Sequence, residues 1–412
     1  MEGSSPAHIV IDHRSARRRT LRVAVVTETY PPEVNGVALT LARVVQGLRD
    51  FDHDVQLIRP RQAAEAGAAV EEAGLEQVLV PGIPIPRYPN LRMGMPAGRL
   101  LQALWSQQRP DVVHVATEGP LGWSALQAVS RLRLPISSDF RTNFHSYSKH
   151  YGLGWLQQPV MAYLRRFHNR THCTMVPTEG LRAELQQHGF HRLQVVSRGV
   201  DLSQFDPAHR SEALRQSWGA APGDTVLLCV GRLASEKNLD TLIEAFQRIR
   251  AGRTDTRLVL VGDGPLRAPL LQQCPDAVFA GQRSGLDLAA HFSSADLFLF
   301  PSLTETFGNV TIEAMASGLP VLAFDYAAAA ELIREGVEGR LVPRGDNAAF
   351  VKSALELSAE SRGQWQRYGA SARQRALSLG WRQIVTQFEA VLCSVISHAQ
   401  GSSAAQPVVR TA

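Results

Sequence analysis

The sequence predicts an α/β protein made of two Rossmann-like, doubly wound parallel-sheet domains that face each other across a cleft. Three observations carry this. The chain has 412 residues, too many for one ordinary domain. Short apolar runs alternate with amphipathic segments through most of its length, the βαβα rhythm of a parallel sheet. The rhythm breaks once, across 197–201 (SRGVD) and Phe205-Asp206-Pro207, and then resumes. The expected organisation is a flexible leader over 1–20, domains over 21–198 and 199–380, and a C-terminal helix with a flexible tail over 381–412.

Each element follows in order. Residues 21–27 (LRVAVVT) form an apolar run of strand length. The loop 28–36 leads into a helix over 37–48, apolar at Leu41, Val44, Val45 and Leu48. Strands follow over 54–58, 111–116, 135–139, 173–176 and 194–196, with helices over 120–130 and 179–187. The second alternation places strands over 225–230, 257–261, 277–279, 296–300 and 320–324. Its helices cover 238–250, 265–272 and 286–292, and one more opens at Gly308-Asn309. Helices from 348 to about 398 close the chain.

Composition narrows the function classes. Apolar content of 44% and charged content of 20% describe a globular protein with ample core. No run approaches the ~18 apolar residues of a membrane span, and no apolar signal core follows the N-terminus, so residence in the cytoplasm is expected. Cys173, Cys229, Cys274 and Cys393 are widely spaced and indicate neither a zinc site nor a disulfide framework. The net charge of +5 divides into +7 for residues 1–200 and −2 for 201–412. A basic first half suits peripheral contact with an anionic membrane surface, although four arginines of the leader supply much of the excess. Arg165 and Arg166 hint at an interfacial helix, or at a domain helix with a basic outer face. No basic-aromatic cluster points to nucleic acid. Only Lys149, Lys237 and Lys352 are lysines; the other 40 basic residues are arginines.

The most informative segment is 301–320, PSLTETFGNVTIEAMASGLP. Glu305 lies in a strand-to-helix loop, and Glu313 lies more than one turn inside the helix. In an open parallel sheet such a loop faces the ligand crevice. An acid there can accept hydrogen bonds from sugar hydroxyls. The N–H groups of Gly308, Asn309 and Val310 would face an anion. A second loop, 231–238 (GRLASEKN), follows the first strand of the second half. Gly231 permits a tight turn, Asn238 is a good N-cap, and Arg232 and Lys237 suit a diphosphate.

Other candidates admit two readings. The turn 261–265 (VGDGP) is turn chemistry as much as ligand contact. Asn35-Gly36 either lets the backbone approach a ligand or simply caps the helix. Asp52-His53-Asp54 matches a D-x-D metal pattern but reads as a polar turn, so no metal is required. His114 reads as a core histidine. Glu118 sits at a strand's carboxyl edge, suited to ligand contact or to capping the next helix. Arg141 and His145, in 139–147 (DFRTNFHSY), are candidates for donor or acceptor contact.

With these motifs in this order, the chain resembles the retaining, nucleotide-sugar-dependent glycosyltransferases of GT-B architecture, family 4, over roughly residues 20–395. The E-x7-E pair Glu305 and Glu313 with Gly308 carries most of the resemblance. YPPEVNGV (30–37) and HVATEGPLG (114–122) look most like bacterial mannosyltransferases and glycolipid-forming members. The resemblance implies an acceptor domain first and a donor domain second. It implies that Arg232 and Lys237 bind the donor diphosphate, that Glu305 contacts sugar hydroxyls, and that Glu313 accepts both ribose hydroxyls. Backbone N–H groups at Phe307, Gly308, Asn309 and Val310 would hold donor groups, and Gly36 would approach the phosphate and acceptor, with Asn35 beside it. The co-substrate would be a GDP- or UDP-hexose, with a lean to GDP-mannose, and the acceptor a lipid or glycan. No cofactor or metal is implied. One departure stands out: Arg141 occupies a position where many relatives have His, and His145 is the nearest substitute. Two alternatives remain at this point: a nucleotide-sugar epimerase of the same architecture, and a non-catalytic nucleotide-sugar-binding regulator.

Overall fold

The computed structural model describes residues 19–33, 35–62, 74–85, 88–141 and 157–404. The expected leader therefore lies outside the described residues, apart from Arg19 and Thr20, as do His145 and the last eight residues of the tail.

The first domain opens with β1 (Arg22–Val26), β2 (Asp54–Pro60) and β3 (Leu75–Val80). An antiparallel hairpin, β4 (Gly82–Ile85) and β5 (Tyr88–Gly94), stands off the sheet. The sheet continues with β6 (Val112–Val115), β7 (Ile136–Asp139), β8 (Cys173–Val176) and β9 (Leu193–Val195). Its order is β3-β2-β1-β6-β7-β8-β9, parallel throughout.

The second domain carries β10 (Thr225–Val230), β11 (Thr256–Val261), β12 (Val278–Gly281), β13 (Leu297–Phe300), β14 (Val321–Phe324) and β15 (Gly339–Val342). These align in parallel as β12-β11-β10-β13-β14-β15. Central strands are buried on both faces, which is why β10 and β13 read as unbroken apolar runs.

Chain order reverses direction beside β1 in one sheet and beside β10 in the other. Crevices therefore form outside the carboxyl ends of β1/β6 and β10/β13. The loops 27–33, 116–119, 231–238 and 301–308 all leave from those ends.

The final helix, Trp381–Ala404, returns to the first domain. Its Ile384, Val385, Phe388 and Leu392 share a core with Leu41, Val44, Val45 and Leu48 of the helix Gly36–Asp50. His53 anchors it further: Nε2 donates to Glu389 Oε1 at 3.1 Å, while Nδ1 accepts from Leu21 N at 3.1 Å. The Asp52-His53-Asp54 turn thus serves as a fold contact. Two chain crossings run side by side between the domains, Val200 N donating to Leu379 O at 2.9 Å. Arg43 pairs with Asp201 at 2.8 Å across the same junction.

Candidate functional site

The second-domain wall starts where β10 ends. Gly231 stacks directly on the turn after β11. A Cβ on Gly262, at φ 137°, would lie 1.9 Å from the Gly231 carbonyl oxygen. Only glycine fits there, so the structural side of the VGDGP reading prevails. Leu233 N donates to Asp263 O at 2.9 Å and locks the two loops together.

A 3-10 turn, Ser235–Lys237, then precedes the helix Leu239–Gly252. Asn238 stands at the expected N-cap position, but its side chain makes no cap hydrogen bond. Its backbone is left-handed (φ 54°, ψ 43°), which ends the 3-10 turn and aims the side chain elsewhere. Its amide donates to Asn347 Oδ1 at 2.9 Å and its oxygen accepts from Thr241 Oγ1 at 3.1 Å.

Lys237 reaches across to the loop after β13. Its Nζ donates to Glu305 Oε1 and sits 5.2 Å above the Phe300 ring. Ser302 Oγ donates to the same carboxylate oxygen at 2.8 Å. Arg232 lies nearby, half exposed, 3.6 Å from Glu236. The structure thus assembles Gly231, Arg232, Lys237 and Glu305 from two loops.

The helix Asn309–Ala316 begins at Gly308, whose φ of 94° a side chain would resist. No side chain caps it and no acid occupies its first turn. The positive end of its dipole stays available to an anion near Asn309 and Val310. Phe307 is buried, and its carbonyl accepts from Ala328 N at 2.9 Å. Opposite lies the start of the first-domain helix: a Cβ on Gly36 would stand 3.9 Å from Asn309 Nδ2. Two helix N-termini therefore meet at the cleft, one from each domain.

Glu313 lies further inside the helix. Part of its surface still meets water, yet protein surrounds the carboxyl densely enough that burial pushes its pKa from 4.5 up to about 7. A carboxylate held this way gains from any hydroxyl that donates to it.

The first-domain side corrects several expectations. Asn35 is a cap: its Oδ1 accepts from Val37 N at 3.1 Å and Ala38 N at 2.9 Å. Its amide donates to Thr29 Oγ1 at 2.8 Å, so both ends of the side chain serve the loop rather than an acceptor. Glu118 is buried and accepts from His168 Nε2 at 3.1 Å. His168 Nδ1 in turn meets Ser138 Oγ at 2.9 Å. This chain has the connectivity of a catalytic triad, but all three residues are buried and Ser138 is fully enclosed. It ties β7 to the helix Gln157–His168.

Arg141 is also enclosed. It is ion-paired to Asp139, which stands 3.5 Å from Arg198. Burial lowers the Arg141 pKa to about 10, which still leaves it charged, so it cannot serve as a base near neutrality. His114 beside Asp139 is pushed by burial down to about 4 and is neutral, as a core histidine should be. Its ring meets Phe388 edge-on, with centroids 4.8 Å apart.

Two residues escaped the sequence reading. Glu28, just after β1, accepts from Gly94 N and from Leu121 N, joining the β4–β5 hairpin to the helix Pro120–Leu132. Burial raises it to about 7. Glu331 accepts from Glu179 N, so an acid of the second domain caps a helix of the first across the cleft. A strand-end position could have flagged Glu28; nothing local marks Glu331.

Residues 34–204 match the family described as Glycosyltransferase Family 4, and residues 224–360 match Glycosyl transferases group 1. A GDP-mannose-dependent alpha-mannosyltransferase of Mycolicibacterium smegmatis is 35% identical over 90% of this chain and 98% of its own length. The enzyme of that name from Corynebacterium glutamicum is 35% identical over 82% of this chain and 80% of its own. Sucrose-phosphate synthase from Thermosynechococcus elongatus superposes with a TM-score of 0.75 at 18% identity, covering 92% of this chain and all of that one, and so shares the fold. The epimerase and regulator alternatives give way to these matches. Paired Rossmann-like domains, a cation–carboxylate pair at their cleft and near-complete coverage by a 35%-identical relative place this chain in glycosyltransferase family 4, among the nucleotide-sugar-dependent hexosyltransferases of GT-B architecture.

Proposed function

We propose that this enzyme transfers mannose from GDP-mannose to a lipid or glycan acceptor, with retention of anomeric configuration and without a metal ion. The observation that carries the reading is the placement of Lys237 on Glu305, beside an uncapped helix start that faces Gly36. The mannose donor follows the names of the two bacterial relatives.

In this reading Arg232 and Lys237 neutralise the diphosphate, and the helix start at Gly308 adds a fixed dipole. Glu305 holds the sugar through its hydroxyls, and Glu313 takes the ribose. The bond from sugar C1 to the diphosphate oxygen breaks, and the acceptor oxygen bonds C1 on the same face. The departing oxygen takes the acceptor proton, so no protein base is required. The positive charges are fixed where leaving-group charge develops, the arrangement that contributes most to such barriers.

Two assays test this. Lys237→Ala lowers transfer about 100-fold or more with the fold intact, since one lost charge contact typically costs ~3 kcal/mol of barrier. Near-normal turnover in a folded variant overturns the assignment. A thermal-shift panel should favour GDP-mannose over UDP-glucose; preference for the latter reassigns the donor.

The helix Gln157–His168 buries Met161, Leu164 and Phe167 and exposes Tyr163, Arg165 and Arg166. That basic, aromatic outer face supports a peripheral stance on the anionic inner surface of the cytoplasmic membrane. No helix among the described residues is long and apolar enough to cross one.

A further inference from the structure

We infer that Arg344, in the loop after β15, is a positioning residue that holds Glu305 in its working geometry. The inference rests on the reading of Glu305 as the sugar contact.

Glu305 lies in a loop with little regular structure of its own, so something outside it must fix its path. Three ties to its backbone do so. Leu303 N donates to Glu236 O at 2.9 Å, linking the loop to the turn that bears Lys237. Ala328 N donates to Phe307 O at 2.9 Å and fastens the far end. The third tie comes from a side chain: Arg344 donates to Leu303 O from Nε at 3.1 Å and from a terminal nitrogen at 2.6 Å. Two donors on one carbonyl set its direction as well as its distance.

Leu303 is therefore gripped through both backbone groups, two residues before Glu305. Arg344 is itself oriented by Tyr326, over whose ring its guanidinium lies 4.3 Å from the centroid. Tyr326, Ser302, Glu305, Phe307 and Thr311 line one small pocket. The chain of contacts thus runs from Arg344 through Leu303 to Glu305. A charged hydrogen bond from an exposed side chain is a modest contributor to folding, but a small shift of Glu305 is expensive in catalysis.

The test is a double-mutant cycle of Arg344→Ala with Glu305→Gln, read by steady-state transfer from GDP-mannose and by GDP binding. Arg344→Ala should lower kcat/KM about tenfold, because misplacement of an orienting group costs that order or more. GDP affinity should stay unchanged, since GDP lacks the sugar that Glu305 holds. In the Glu305→Gln background the Arg344 effect should vanish. Arg344→Lys keeps one donor but not the fork, and should fall between wild type and Ala. An equal Arg344 effect in both backgrounds overturns the inference, as does matching loss of GDP affinity, which marks a general collapse of the loop. If Arg344→Ala does not fold, the Lys and Gln variants carry the same cycle. Full activity in Glu305→Gln alone is a separate outcome: it removes the sugar-contact reading, and the positioning role with it.

Discussion

Glu313→Gln tests the ribose contact through its charge. Burial lifts this carboxyl from 4.5 to about 7, and desolvation is the one cause. Ionising it in the free enzyme therefore costs up to about 3 kcal/mol. Ribose hydroxyls that donate to the carboxylate favour the charged form and draw the pKa back down. Nucleotide binding then releases a proton, and affinity rises with pH. If the bound pKa returns to its ordinary value, GDP binds about 30-fold more tightly at pH 8 than at pH 5.5 by linkage. Water reaches part of the side chain, so about 30-fold is an upper figure. Isothermal titration across this range measures it, with 2′,3′-dideoxy-GDP as the control that shares every phosphate titration. The slope should be steeper for GDP with wild type than for the dideoxy ligand or for Glu313→Gln, which keep only the phosphate titration. Equal slopes in all three refute the ribose assignment. Stability gives an independent check. An acid with a raised folded pKa stabilises fully below its unfolded pKa of 4.5, and the contribution is lost as pH rises towards about 7. The loss should be smaller in Glu313→Gln than in wild type, with Glu28 supplying the remainder.

Three further outcomes follow from geometry. Gly262→Ala sets a methyl against the Gly231 carbonyl and should weaken GDP binding about tenfold or more, by calorimetry, because the loop bearing Arg232 must move. Glu331→Ala removes the inter-domain hydrogen bond to Glu179 N; small-angle scattering should show a wider molecule and KM for the donor should rise about fivefold, the equivalent of ~1 kcal/mol. Glu389→Leu leaves the buried His53 without its acceptor and should cost about 1–3 kcal/mol in chemical denaturation, with transfer kinetics of the folded enzyme unchanged.

The meeting of the 231–238 and 301–308 loops at one crevice was legible because their placement is local. Gly231, Lys237, Glu305 and Gly308 all lie in loops that leave strand ends, where sequence rhythm alone places a crevice. Elements that lack a long apolar run were not legible. β15 has four residues on the sheet edge, and the β4–β5 hairpin lies outside the parallel rhythm. The return of Trp381–Ala404 to the first domain is a tertiary fact that a helical period cannot express. Asn238 shows the limit of residue preference: Asn is favoured as a cap and also tolerates the left-handed backbone, and here the second property decided its place. Glu331 depends on a partner in the other domain, more than a hundred positions away, and no local spacing announces that.

Glu118 separates a structural acid from an acceptor contact. By position it faces the crevice, at the carboxyl end of β6. By hydrogen bonding it faces inward: its carboxylate accepts from His168 Nε2, which leaves Nδ1 to accept from Ser138. Ser138 Oγ also meets Thr171 and Thr174 at 3.1 and 3.0 Å, so the network joins three elements beneath the cleft. Glu118→Ala strands the Nε2–H of a buried ring. The cost should be about 1–3 kcal/mol, or some 2–10 °C in Tm for a domain of this size. Acceptor KM in the folded variant should hold within about twofold, because a residue that never touches the acceptor contributes no binding energy to lose. Glu118→Gln supplies the finer test. Its amide oxygen can still accept from Nε2, so it should recover most of the lost stability. A variant that keeps native Tm but raises acceptor KM tenfold would put Glu118 back in the acceptor site and show that the network opens when substrate binds.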